Sequence, residues 1–255
     1  MIRHLITRIL FMPPRRPQHS TRQPEGRVDY QRIGGSMTTI EADHAAISSG
    51  QRLDGKVALV TGAAGELGHR VAVALGGLGA SVALNYRERD DSLADTTASL
   101  NEVEAAHVAI RADLSSSEAV GSLFEQVAGR FGQLDVVVHT PGRVTKTRFD
   151  QISDEEFEAS IDQNLRAAFY VLREAARQVN DGGRIVTLTT SITGVTIPLY
   201  SIYAGHKAAT EHYVRGLAKE LGPRGVTVNA VGPGPINSPS TSVSKPSNRF
   251  KPPAE

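Results

Sequence analysis

The chain has 255 residues, is 40% hydrophobic and 5% aromatic, and carries a formal net charge of +1 with no cysteine. The missing thiols exclude disulfides, cysteine nucleophiles and thiolate metal ligands together, and no apolar run approaches the ~18 residues of a membrane-spanning helix. Residues 1–36 hold seven Lys/Arg against two Asp/Glu, which leaves 21 basic and 25 acidic residues in 37–255, a mildly acidic domain ill suited to nucleic acid.

At the N-terminus Ile2, Leu5, Ile6, Ile9 and Leu10 follow the spacing of an apolar helix face, accompanied by Arg3 and Arg8. An Arg-rich, acid-poor, amphipathic start describes a mitochondrial transit peptide. Pro13-Pro14 ends any helix quickly, and Met37 offers a second start. Residues 1–50 are therefore read as a basic, disordered extension on a cytoplasmic protein, with a mitochondrial address as the alternative.

Lys56-Val-Ala-Leu-Val-Thr61 is a short, β-branched apolar run, as a buried parallel strand should be. It leads into Gly62-Ala-Ala-Gly65-Glu-Leu-Gly68 and then a helix-period stretch through Leu78. Strand, glycine-rich turn and helix is the arrangement in which backbone N–H groups receive a pyrophosphate without a Cβ in the way. Further strands are expected near Ser81–Tyr86, His107–Arg111, Asp135–His139, Arg184–Thr189 and Gly225–Val231. Helices are expected at Asp91–Val103, Ser116–Phe131, Asp154–Val179 and Ile202–Leu221, with Ser115-x-x-Glu118 and Ser153-x-x-Glu156 as capping boxes. The pattern is one doubly wound parallel α/β sheet with helices on both faces.

Tyr203 and Lys207 lie four residues apart, so a helix puts them on one face. A phenol of pKa near ~10 is a poor acid–base group at neutral pH. A neighbouring ammonium favours the phenolate and is expected to bring that pKa down toward the working range. Ser191, twelve positions upstream, can hydrogen-bond the oxygen of a carbonyl substrate. The eight histidines are scattered without ligand spacing, so no metal site is expected. His206 is expected to be packed or solvated.

From about Leu53 to Ser238 the chain resembles the short-chain dehydrogenase/reductase family, of the classical, 3-oxoacyl-ACP-reductase-like kind. Thr61-Gly62-Ala-Ala-Gly65-Glu66-Leu67-Gly68 resembles the family's T-G-x-x-x-G-x-G turn. Asp113 resembles the acidic residue after the third strand, and Asn164 the asparagine of the long helix. Ser191-Ile-Thr-Gly194 and Tyr203-Ala-Gly-His-Lys207 resemble the catalytic serine and Tyr/Lys pair. Val228-Asn229-Ala-Val-Gly-Pro233-Gly234-Pro-Ile236-Asn-Ser238 resembles the segment that cradles the nicotinamide. The resemblance implies a catalytic set of Ser191, Tyr203, Lys207 and Asn164. It implies cofactor contacts at Thr61, Gly62, Gly65, Leu67, Gly68, Arg87, Asp113, Gly142, Tyr203, Lys207, Pro233, Gly234, Ile236 and Ser238. The family's central glycine falls on Glu66, and its N-N-A-G reads His139-Thr140-Pro141-Gly142.

The second strand closes on Tyr86-Arg87 rather than on Asp or Glu. A guanidinium there suits a 2′-phosphate and favours NADP(H) over NAD(H); the alternative is a solvated Arg87 paired with Glu88 or Asp90. Residues 235–255 contain five prolines and five serines, a composition that does not pack a core. The reading is a catalytic domain at 51–238, a disordered tail at 239–255, and a truncated family member lacking the last strand, with the Gly225–Val231 strand an exposed edge. The expected function is NADP(H)-dependent interconversion of a small-molecule carbonyl and a secondary alcohol, with no nucleic-acid or membrane partner and a possible homo-oligomer weakened by the lost segment. The alternative is a non-catalytic nucleotide-binding or scaffold protein.

Overall fold

A computed structural model describes residues 52–88 and 91–234. Six strands form one sheet, all parallel. They are β1 (Val57–Thr61), β2 (Ser81–Tyr86), β3 (His107–Arg111), β4 (Val136–His139), β5 (Arg184–Leu188) and β6 (Thr227–Val231), in spatial order β3-β2-β1-β4-β5-β6. The order reverses at β1, so the crevice above the carboxyl ends of β1 and β4 is the topological switch point where such sheets bind ligands. β3 and β6 are the outer strands among the described residues. The reading of 239–255 as a tail, and of the last strand as missing, lies outside the described residues, apart from β6 itself.

The helices are α1 (Glu66–Gly77), α2 (Asp91–Glu102), α3 (Ser117–Phe131), α4 (Asp154–Ser160), α5 (Ala167–Gln178) and α6 (Ser201–Leu221). Alternation along each strand sorts its side chains onto two faces. Val57, Leu59, Val137 and Ile185 pack with Leu123, Phe124, Val171, Leu172, Val214 and Leu221 of α3, α5 and α6. Ala58, Val60, Val82, Leu84 and Val138 pack with Val71, Leu75, Leu93 and Leu100 of α1 and α2. Both faces of the strands are buried, which is why they read as continuous apolar runs.

Two helix details differ from the sequence reading. Ser153 and Glu156 form the expected capping box at α4. At α3, however, Ser116 is the N-cap and accepts from the Ala119 amide, while Ser115 turns its hydroxyl to Asp113. The expected continuous helix over Asp154–Val179 is also broken into α4 and α5 by a π-helical turn at Ile161–Arg166. Such turns widen the helix and re-aim a side chain, here that of Asn164.

Candidate active site

The site begins at the turn between β1 and α1. Gly62 takes φ +69°, a left-handed conformation that favours glycine, and a Cβ on Gly68 would fall 2.2 Å from the Gly62 carbonyl oxygen. Turn and helix therefore close onto each other only because both positions lack side chains. Gly65 is the N-cap of α1, lies on the groove wall and brings no side-chain cap to the first-turn amides. Glu66 is turned into an i,i+4 ion pair with Arg70 at 2.9 Å, which removes much of its conflict with an anion at that end. Thr61 and Gly68 are buried behind the turn, and Leu67 packs on the core.

Residues the sequence reading passed over hold this turn. Asn85, 1% exposed, accepts from the Gly62 amide at 3.3 Å and donates to the Ala112 carbonyl at 3.1 Å. It thus ties the glycine turn to the end of β3. Thr96 of α2, fully buried, donates to the Ala63 carbonyl at 3.1 Å. Asn85 had one visible signal, a carboxamide at the end of an otherwise apolar strand.

A groove of about 540 Å3 opens over this region, with Gly62, Gly65, Arg87, Asp113 and Gly142 on its walls. Asp113 accepts from the Ser115 amide and hydroxyl at 2.9 and 2.7 Å, and these bonds hold its carboxyl below the usual range. Arg87 is exposed and ion-paired with Glu88 at 3.4 Å, the pairing the bland alternative foresaw. Arg111, the register partner of Tyr86, donates to the Arg87 carbonyl at 3.0 Å. It brings a second guanidinium beside Arg87, unnoticed in the sequence because the two arginines lie 24 residues apart.

Gly142 joins the groove to a polar cluster under α6. A Cβ there would lie 2.7 Å from Lys207 Nζ and 3.1 Å from Asn164 Oδ1. Lys207 is 2% exposed and donates to the carbonyls of Pro141 at 3.0 Å and Leu188 at 3.1 Å. Burial pulls its pKa from 10.5 to about 8. Asn164, fully buried on the π turn, accepts from the Arg143 amide and donates to the Arg143 carbonyl, each at 3.0 Å. Its amide also donates to the Ser160 carbonyl, and Ser160 shares a 3.1 Å hydrogen bond with His206. His206 is thus packed, braced between α6 and α4.

Tyr203 stands one helical turn before Lys207 and is 8% exposed. Its pKa is raised, first by burial, against the lowering effect of a hydrogen bond from Thr190. The expected depression by Lys207 is not what these residues produce on their own. The ammonium donates to two carbonyls, and no direct hydrogen bond joins it to the phenol among the described residues. Ser191 is exposed at the start of a 3-10 turn over Ser191–Gly194, and its amide donates to the Pro233 carbonyl at 3.0 Å. That bond brings Pro233 beside the serine turn. Gly234 follows in open space, while Ile236 and Ser238 lie outside the described residues.

A family model described as Enoyl-(Acyl carrier protein) reductase matches residues 62–254. The chain belongs to the short-chain dehydrogenase/reductase family. A short chain dehydrogenase of Claviceps purpurea is 38% identical over 184 residues, covering 72% of this chain and 70% of that protein. Versicolorin reductase 1 of Aspergillus parasiticus is 38% identical over 194 residues, covering 75% and 74%. Among solved structures, a Burkholderia cenocepacia putative dehydrogenase with bound NADP superposes with a TM-score of 0.74 at 36% identity, covering 80% of this chain and 78% of that one.

As a short-chain dehydrogenase/reductase the protein is an oxidoreductase that acts on CH–OH and carbonyl groups, and its twisted parallel sheet is the Rossmann-like fold of those relatives. Among the described residues no helix is long and apolar enough to cross a membrane.

Proposed function

We propose that this short-chain dehydrogenase/reductase is an NADP(H)-dependent enzyme that interconverts a small-molecule carbonyl and its secondary alcohol. One observation carries the reading: Lys207 buries an ammonium against two carbonyls, one turn from a buried tyrosine, at the mouth of a glycine-walled groove. A desolvated cation beside a phenol in a cleft marks a reactive site better than a structural one.

The residues of the groove fit a dinucleotide. Uncapped first-turn amides at α1 suit a diphosphate, and Asp113, with Arg87 and Arg111 beside it, would meet the adenosine. Two guanidiniums and no carboxylate closing β2 favour a 2′-phosphate, as does the likeness to two Burkholderia cenocepacia dehydrogenases solved with NADP. When bound, the cofactor supplies or receives the hydride. Lys207 would hold the ribose with its remaining N–H, and Pro233 and Gly234 would meet the nicotinamide.

Proton movement belongs to this chain's own side chains. In reduction Tyr203 gives its proton to the substrate oxygen while the Ser191 hydroxyl donates to that oxygen and fixes its place. The raised pKa of Tyr203 keeps the phenol loaded for that direction at neutral pH. In oxidation the phenol must accept a proton instead, and the hydrogen bond from the Thr190 hydroxyl favours the phenolate. Asn164 holds the segment beyond β4 at Arg143 and would anchor a water through which Lys207 exchanges protons with solvent.

Tyr203→Phe tests the reading. Turnover of a small ketone should fall by about 10²–10⁴-fold, the worth of a positioned acid, while the NADPH dissociation constant stays within about twofold. Equal activity in the variant would remove the mechanism. A second reading, a cofactor-binding protein without turnover, is favoured by the exposed Ser191 and by the unshared Tyr203 and Lys207. NADPH titration followed by a panel of ketones separates the two, because binding without any turnover would support the second.

A further inference from the structure

Beneath Lys207 lies a row of buried polar side chains that the proposed mechanism does not use. Thr61, His139 and Thr187 are register partners on β1, β4 and β5, all fully buried. Two residues earlier on each strand, Leu59, Val137 and Ile185 pack into the α3–α5–α6 core. By strand alternation the polar row continues that same face, toward α6 and the π turn. His139 stands where the family pattern has its first asparagine.

The row is incompletely satisfied. His139 Nδ1 shares a 2.9 Å hydrogen bond with Thr61 Oγ1, but His139 Nε2 and Thr187 Oγ1 are buried with no protein partner. Buried polar atoms nearly always find one. The two orphans sit on register partners of neighbouring strands, where one water, needing two to four polar partners, can serve both. A water donates and accepts, so it satisfies either imidazole tautomer.

The place of this gap gives it a consequence. Pro141, two residues beyond His139, and Leu188, one residue beyond Thr187, supply the two carbonyls that hold Lys207 Nζ. The separation of the β4 and β5 ends therefore sets where the ammonium rests. We propose that His139 and Thr187 share one buried water that fixes the ends of β4 and β5, making His139 a positioning residue for Lys207. Burial, and after it the Lys207 charge, keeps the imidazole neutral, its pKa lowered to about 3, so the bridge persists across the working pH range. Lys207 is the charged group that acts on the imidazole, and the Thr61 hydroxyl shares a hydrogen bond with its Nδ1.

The test uses the full chain and three substitutions, Thr187→Val, Thr187→Ser and His139→Leu. Its kinetic arm rests on the ketoreductase reading. Thr187→Val keeps the shape and loses the hydroxyl. It and His139→Leu should each lower kcat by about tenfold, the order of one lost orienting hydrogen bond, with the NADPH dissociation constant within about twofold. Thr187→Ser should restore the rate. Because one water serves both residues, the double variant should lose no more than either single one. A loss near a hundredfold in the double variant, or an unchanged kcat in Thr187→Val, would overturn the proposal. A high-resolution crystal structure provides the arm that does not depend on turnover. Density for a water between His139 Nε2 and Thr187 Oγ1, lost in Thr187→Val, supports the bridge even if no ketone is ever reduced. Direct contact of the two side chains, or an empty gap, defeats it. Should His139→Leu fail to fold, the Thr187→Val and Thr187→Ser pair decides alone.

Discussion

Lys207→Met measures the consequence of burying the ammonium. Burial holds the lysine pKa at about 8 against an ordinary 10.5, so between those values the unfolded chain binds more protons than the folded one. Stability must then rise with pH across that window. The penalty is fully present below pH 8 and is relieved as pH climbs toward 10.5. A separation of about 2.5 pH units, at ~1.4 kcal/mol each, makes it about 3 kcal/mol at neutral pH. Methionine fills similar space without a charge, and whatever it costs to strand the Pro141 and Leu188 carbonyls is independent of pH. The wild type should therefore gain about 2–3 kcal/mol relative to the variant between pH 7 and pH 10. Urea unfolding followed by far-ultraviolet circular dichroism, repeated at each pH for both proteins, reads this difference. A gap flat to within about 0.5 kcal/mol, or one that moves toward methionine, would refute the placement of a desolvated ammonium there.

His139 behaves in the opposite pH range. Its folded pKa near 3 lies below the ordinary 6.5, so its contribution is present above pH 6.5 and is lost as pH falls toward 3, by up to roughly 4–5 kcal/mol. His139→Asn should show a shallower loss of thermal midpoint than the wild type between pH 6.5 and 4. Gly68→Ala places a Cβ 2.2 Å from a backbone oxygen. It should destabilise by about 1–3 kcal/mol and raise the NADPH dissociation constant more than tenfold by calorimetry. Gly129→Ala, on the exposed face of α3 with open space around its Cβ, should stabilise by about 0.5–1 kcal/mol. Arg87→Asp and Arg111→Asp should each raise the Michaelis constant for NADPH about tenfold or more while leaving that for NADH within about twofold; an unchanged NADPH value in both would remove the 2′-phosphate assignment.

The strands, the glycine turn and the Tyr203–Lys207 face were legible in the chain because each rests on contacts within a few residues. A β-branched run bounded by glycines declares a buried strand, and a four-residue spacing declares a helix face. The capping serine at α3 was misplaced by one position because Ser115 and Ser116 have the same chemistry, and only the position of Asp113 separates them. The π turn was hidden for a similar reason. Ile161–Arg166 has an ordinary helical composition, and Asn164 departs from the helix to reach Arg143, 21 residues away.

Sequence by itself determined the family pattern, the chain order of the strands and helices and the shared helix face of Tyr203 and Lys207, since those depend on residue type and short spacing. Only the folded chain decided their ionisation and support. Exclusion of water raises the tyrosine and lowers the lysine, whereas their adjacency alone suggested that the cation would dominate. Asn85 under the glycine turn, Arg111 beside Arg87, and the row Thr61–His139–Thr187 arise where strands distant along the chain end at one edge. Desolvation and cross-strand pairing are properties of that packed edge, and no local stretch of residues carries them.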